Sequence, residues 1–512
     1  MKIPPLVCLL VFAALLLASP AFAALNRGPY LQLSTTSSIV IRWRTGTTEN
    51  SRVNYGTNSA ALNLTNNDAT TTTNHIVTLT SLSPDTKYFY SIGSSAATLA
   101  GPSTNHFFLT HPLPGTIKPL RVWVIGDAGT ATANQIAVRN AFETFNGTNT
   151  LHAWLQLGDN AYNAGLDTEY QSAVFNMYTN ELRNTVTWST LGNHETAQSP
   201  VFVDTYPYFE IFTLPTAGEA GGVASGTEHW YSFDLGMVHF ICLDSMTADR
   251  ATNGAMAIWL RSDLAVTTNR WLIAFWHHPP YSKGSHDSDV GGTGYDTQMG
   301  EMRTNFLPIL ENGGVDLVFC GHSHAHERSK LLNGHYGISS TFNAATHVIQ
   351  TGGGRDTNGV GAYRKPDGLG EKPVGNRGTI YTVAGSSGQA TSGTVNHPAM
   401  FYSALSLGSV VLDFYSNRLD AIFLRETGAT TDSFTIIKEG TQPPVLTNFV
   451  WLPGSGMKFT VLARPYRTNI VEATTNLSSG WAALQTNFST NSTFNFTNAS
   501  GANKTFYRVR KP

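Results

Sequence analysis

The stretch HAWLQLGDNAY, His152 to Tyr162, is an apolar run of strand length that breaks off at Gly158-Asp159. Runs of the same design recur along the chain: VWVIG (122–126) meets Asp127, TVTWSTLG (185–192) meets Asn193, RWLIAFW (270–276) meets His277, and VDLVFCG (315–321) meets His322 and then His324. A further run, MVHFICLD (237–244), ends in an aspartate as well. Strands this uniformly apolar need cover on both faces. Their alternation with amphipathic stretches between Leu120 and about Gly440 predicts a layered α/β domain over 115–440. In such sheets ligands bind beyond the carboxyl ends of the strands. Polar residues far apart in sequence are therefore expected to converge. The Gly-rich stretch from Gly352 to Gly378 reads as loops near that site.

The flanks differ in character. From Arg27 to His111 the runs SIVIRW, VTLTSL and KYFYSI, separated by turns, predict a small β-sandwich within 24–114, and Pro112 to Lys118 reads as a linker. After Gln442-Pro443-Pro444 the composition shifts to Thr, Asn and Ser, with short strands in MKFTVLA and KTFYRVR, which predicts a small C-terminal β module over 441–512. Its Asn-x-Ser/Thr triplets at Asn487, Asn491, Asn495 and Asn498 are glycosylation acceptors in a eukaryotic host and low-complexity usage otherwise.

The first residues carry an export pattern: Lys2, an apolar stretch from Leu6 to Leu17, and Ala21-Phe22-Ala23 as a cleavage site. A signal peptide over 1–23 and a secreted or periplasmic location are expected, with no membrane span. A chain of 512 residues with a net charge of −2 has room for several cores and lacks the basic balance of a dedicated nucleic-acid partner. Cys8 leaves with the signal, and Cys242 and Cys320 sit in apolar runs, where they read as small buried hydrophobes.

Taken singly, an Asp after a strand is a turn residue or helix cap, and a lone His is a hydrogen-bonded structural residue. Carboxylate, amide and imidazole ending one strand after another point instead to a metal site. Two-metal phosphate chemistry requires a bridging carboxylate, further ligands for each ion and an open position. Asp159 is read as the bridge. Asp127, Tyr162 and His324 would surround one ion, and Asn193, His277 and His322 the other. A phenolate with carboxylates favours a hard trivalent ion, whereas imidazoles and an amide suit a divalent ion such as Zn, Fe or Mn. His286, in the loop YSKGSHDSD, is read as a general acid for the leaving alcohol, against the plainer reading of an exposed loop histidine.

GDAG (126–129), GDNAY (158–162), GNHE (192–195), WHHPP (276–280) and GHSHAHER (321–328) resemble, in order, the five motifs of the purple acid phosphatases. RGPYLQ (27–32) is similar to the opening of that family's first domain. The resemblance covers about 27 to 440. It implies a fibronectin-like N-terminal sandwich before an α/β/β/α layered metallophosphoesterase domain, and the same seven ligands, with Fe(III) on the Tyr162 side. It also implies that His194 binds substrate phosphate and that His277 rather than His278 is a ligand. His326 stands where the plant-type pattern has tyrosine, a departure expected to alter local pocket shape. The function implied is a secreted acid phosphatase that hydrolyses phosphate monoesters by metal-hydroxide attack. A phosphodiesterase or nucleotidase on the same metals is the alternative, and a non-catalytic secreted binding protein the weaker one. The C-terminal module's composition admits attachment to a cell surface or polysaccharide.

Overall fold

The computed structural model describes residues 24–199, 204–289, 296–356, 361–367, 373–439, 444–453, 456–463, 467–478, 480–489, 493–498 and 505–510. The signal expected over 1–23 lies outside them.

The predicted apolar runs form parallel strands in two seven-stranded sheets, in the middle of the first and along one edge of the second. In the first, Val238–Cys242, Trp271–Phe275, Leu317–Cys320 and Ile380–Ala384 run parallel side by side. In the second, Leu120–Ile125, Ala153–Gln156 and Thr187–Ser189 do the same. Antiparallel strands complete both sheets, notably the meander Gly408–Tyr415, Arg418–Arg425 and Thr430–Glu439, which docks onto Leu120–Ile125. Side-chain alternation divides the packing. Trp271, Ile273 and Phe275 enter the core that also contains second-sheet residues such as Val124 and Leu412. Leu272 and Ala274 pack with Trp259 and Leu310 from the helices Ala255–Val266 and Leu307–Gly313. On the second sheet, Trp123 stacks on Phe142 of the helix Ala133–Asn146. Each large side chain removed from water in this way contributes about 1.5–3 kcal/mol.

At the N-terminus, six strands between Leu25 and Leu109 are hydrogen-bonded into one sheet, with the long strand Ile39–Gly56 shared by three partners. The RGPYLQ segment docks this domain onto the next. Arg27 reaches Asp167 and Gln171 and lies 3.8 Å over the Phe175 ring, and Tyr30 donates to the Ile211 carbonyl. Gln32 accepts from the Thr213 N–H. Beyond residue 444 the described strands make two three-stranded sheets around Phe459, Val461, Val471 and Phe496.

One expectation needs correction. The stretch from 352 to 378 is not loop throughout, because Tyr363–Pro366 is a strand paired with Thr430–Glu439. Its glycines 353 and 354 lie against Phe401 and Tyr363, away from the strand ends that gather the polar residues. The ring partners of His326 are not among the proposed ligands. His326 is buried on the second sheet's side, stacked on Phe423 at 3.9 Å and 3.2 Å from Asp432 Oδ2. Cys242 and Cys320 are buried free thiols whose pKa burial raises. Among the described residues, no helix is long and apolar enough to cross a membrane.

Candidate metal centre

Each proposed ligand sits at or just past the carboxyl end of a parallel strand. Asp127, Asp159 and His322 adopt left-handed backbone conformations, with φ of 54°, 53° and 65°. Such geometry is uncommon for side-chain-bearing residues and collects at functional sites. The preceding glycines are there because there is no room for a side chain. A Cβ on Gly192 would stand 2.2 Å from Asp159 Oδ1, and one on Gly321 would stand 2.4 Å from Asp127 Oδ2.

One oxygen of each carboxylate is used to build the site. Asp127 Oδ2 accepts the His322 N–H at 2.8 Å, and Asp159 Oδ1 accepts the His194 N–H at 2.9 Å. The other oxygens face inward in two groups. Tyr162 Oη lies 3.2 Å from Asp127 Oδ1, 3.2 Å from Asp159 Oδ2 and 3.4 Å from His324 Nε2. On the other side, Asn193 Oδ1 lies 3.0 Å from His277 Nε2 and 2.9 Å from His322 Nδ1. Asp159 Oδ2 belongs to both groups, since it is also 3.5 Å from His277 Nε2. The His277 ring is oriented by its Nδ1, which pairs with the Leu157 carbonyl at 2.8 Å and leaves Nε2 to the site.

His194 and His286 join the same cluster. His194 Nδ1 bonds the Asn163 carbonyl at 2.6 Å, and its ring packs edge-on against Tyr162. His286 stacks on His322 with ring centres 3.8 Å apart and places Nδ1 2.9 Å from Asp296 Oδ1. The structure thus gathers all nine residues singled out in the sequence. His278 lies close as well: one of its nitrogens is within 4.8 Å of ligand atoms of His277 and His322, while Nδ1 pairs with Ser245 Oγ.

The electrostatics call for a cation. Asp127 and Asp159 are fully buried, and among the described residues their ion pairs are with imidazoles alone. Burial, reinforced by the Asp159 charge, raises the Asp127 pKa well above the usual carboxylate range. Burial pushes Asp159 the same way, but His277 and His194 outweigh it and hold the group ionised. Burial likewise works against charge on His277, yet Asp159 and Asp127 raise its pKa to about 9. An ion bound through His277 Nε2 would displace the proton carried there and take over the positive charge the carboxylates require. Burial and neighbouring imidazoles lower His322 to about 3, and burial lowers His324 to about 4, so both offer neutral nitrogens. Burial and the two carboxylates push the Tyr162 phenol well up. A phenolate here needs a strong cation beside it. Oxygen and nitrogen donors in two groups sharing one carboxylate fit a pair of ions.

Sequence reasoning missed the supporting residues. Glu195 is a buried carboxylate that accepts the N–H groups of Asp159, Asn160 and Gly192 at 2.6–2.8 Å, clamping two ligand loops together. It stands inside GNHE, but only the fold reveals its partners. Glu327 accepts from Ser282 Oγ and the Lys283 N–H, bracing the loop that carries His286. Asp296 and Gln389 had no motif to mark them.

Residues 120–326 match the calcineurin-like phosphoesterase family, and the fold and site of this part of the chain agree with that class. Residues 27–110 match the purple acid phosphatase N-terminal domain. Within the class, the chain is similar to the purple acid phosphatases. Purple acid phosphatase 18 of Arabidopsis thaliana is 34% identical over 170 residues, 33% of this chain and 36% of the relative. Purple acid phosphatase 23 of the same plant is 28% identical over 288 residues, 50% of this chain and 58% of the relative. The chain thus spans between about a third and three fifths of these relatives' lengths. The purple acid phosphatase PPD1 from yellow lupin (Lupinus luteus) seeds shares the fold, with a TM-score of 0.59 over 80% of this chain and 74% of that one at 18% identity.

Proposed function

We propose that this chain is an exported acid phosphatase that hydrolyses phosphate monoesters at a dinuclear centre of Fe(III) and a divalent ion (Zn, Fe or Mn). The observation that carries the proposal is the pair of buried carboxylates, Asp127 and Asp159, with a phenol, an amide and three imidazoles around them and, among the described residues, no Lys or Arg as ion-pair partner. Asp127, Asp159, Tyr162 and His324 would hold the trivalent ion, and Asp159, Asn193, His277 and His322 the divalent one. When bound, the two ions neutralise phosphoryl oxygens and make water a competent nucleophile near neutral or acidic pH.

The chain's own residues do the rest. His194, fixed through an Nδ1–H donated to the Asn163 carbonyl, can donate from Nε2 to a phosphoryl oxygen in its imidazolium form. His286, fixed through Nδ1 by Asp296, has Nε2 left to protonate the departing alcohol, which is otherwise a poor leaving group. The unit arrangement proposed with this function is a signal over 1–23, a fibronectin-like sandwich over 24–114, a catalytic unit over 115–440 and a β module over 441–512. Exposed Phe449 and Trp451 are what a surface or polysaccharide attachment role for that last module would use.

Metal analysis of the purified mature protein, with rates on an aryl monoester and a bis-aryl diester, tests the reading. Two ions per chain and faster monoester turnover are expected. Faster diester turnover would transfer the site to a phosphodiesterase, and metal-free protein inert on every ester would sink the enzyme reading.

A further inference from the structure

Between Ile380–Ala384 and His397 the chain reads GSSGQATSGTVN (385–396), a stretch that none of the sequence motifs includes. It is pinned to the ligand loops on both sides of Gln389. Upstream, the Gly385 N–H donates to the Ala325 carbonyl at 3.3 Å and the Ser387 N–H to the Gly126 carbonyl at 3.1 Å. Gly388 passes so close to the first ligand loop that a Cβ would stand 2.6 Å from the Asp127 carbonyl oxygen. Downstream, the Thr391 N–H donates to the His324 carbonyl at 3.2 Å, and Thr391 Oγ1 lies 3.3 Å from His324 Nδ1. A side chain between two such anchors is presented at little further entropic cost.

Gln389 points its amide at the centre. Its Nε2 stands 3.2 Å from His324 Nε2. His324 Nε2 is the nitrogen that faces Tyr162 Oη and Asp127 Oδ1. It has one lone pair. A nitrogen that ligates an ion cannot also accept a hydrogen bond from Gln389, so in the loaded protein the amide N–H that faces His324 is left without that partner. A half-buried donor beside the reacting position stays unsatisfied at a cost unless an incoming acceptor takes it. Phosphate oxygens are that acceptor, and an uncharged amide serves them without competing with the ions for Asp127 or Asp159.

We propose that Gln389 is a substrate-binding residue whose side-chain amide donates to a phosphoryl oxygen of the tetrahedral anion held at this centre. The inference rests on the phosphatase reading above. The test is the Kd of inorganic phosphate, measured calorimetrically on metal-loaded full chain, for the wild type, Gln389→Met and Gln389→Glu, with metal content determined alongside. Methionine preserves length and removes the donor, and should weaken phosphate about tenfold with metals retained. Glutamate sets a negative charge against the anion and should weaken it further. Equal affinity in wild type and Gln389→Met, metals intact, would overturn the proposal, as would loss of metals from both variants, which would make Gln389 a brace for His324. Loaded wild type that binds no phosphate would instead defeat the phosphatase reading itself.

Discussion

Tyr162 separates this centre from a generic pair of carboxylates and imidazoles. Its hydroxyl is held among Asp127, Asp159 and His324, where burial and negative charge oppose ionisation. A trivalent ion reverses that balance, and tyrosinate bound to Fe(III) absorbs visible light by charge transfer. Tyr162→Phe is expected to keep its iron through Asp127, Asp159 and His324 and to lose the visible band, read by absorption and metal analysis of one sample. Zinc or manganese alone, colourless and active, would retain the phosphoesterase and discard the Fe(III)–tyrosinate assignment. Most of the proposed ligands were legible in the sequence because they stand where an apolar run stops, and Tyr162 because it completes the motif GDNAY. Glu195, Asp296 and Gln389 were not, since a glutamate in a motif, an aspartate after a loop and a glutamine in a Gly/Ser stretch carry no local sign of the partners they meet.

Strand ends bring the ligands together, and the glycines before them decide how tightly. Gly192 and Gly321 let neighbouring strand-end loops touch the carboxylates of Asp159 and Asp127. Gly192→Ala puts a methyl group 2.2 Å from Asp159 Oδ1. The loops must part, at about 1–3 kcal/mol of overpacking. The expected outcome is a folded protein, by near-ultraviolet circular dichroism, that binds less than its full complement of metal. Full metal occupancy in that variant would show that the loops yield without moving the ligand. A second strand carries a different device. His239, in Val238–Cys242, is buried between Asp234 Oδ1 at 2.7 Å and Asp263 Oδ2 at 2.8 Å. Burial disfavours its charge, but the two carboxylates prevail and raise its pKa to about 10. A raised folded pKa stabilises fully below the unfolded value of about 6.5, and the contribution is lost as pH rises through about 10. His239→Ala leaves both carboxylates unpaired and should cost about 3–5 kcal/mol at pH 6. Urea unfolding at pH 6 and pH 10 checks this, with the gap from wild type expected to narrow at the higher pH.

The domains are joined by specific polar contacts. Arg27 and Arg44 converge on Asp167, Arg42 caps the carbonyls of Glu210 and Phe212, and Tyr30 reaches Ile211. Arg27 is 2% exposed, so removing it takes one of two arginines from Asp167 and leaves a vacated space against Phe175. Arg27→Ala should lower unfolding stability by about 2 kcal/mol and leave metal content unchanged, because no contact of Arg27 reaches a proposed ligand directly. A metal-depleted Arg27→Ala protein would mean that the N-terminal sheet domain shapes the centre, contrary to this account.

Alone, the sequence determined most of the strands in the central domain's parallel cores, the positions where strands stop, and the donor types placed there. These are local properties: an apolar run of strand length must be covered, and a glycine followed by a polar residue ends it at a sheet's edge. It also marked RGPYLQ and His326 as noteworthy without revealing why. Only the tertiary structure decided that Arg27 holds Asp167, some 140 residues away, and that His326 pairs with Asp432. Only there does an unmarked glutamine from a late loop reach His324. Such contacts depend on two loops arriving at one point, and no pattern along a single segment encodes the distance between them.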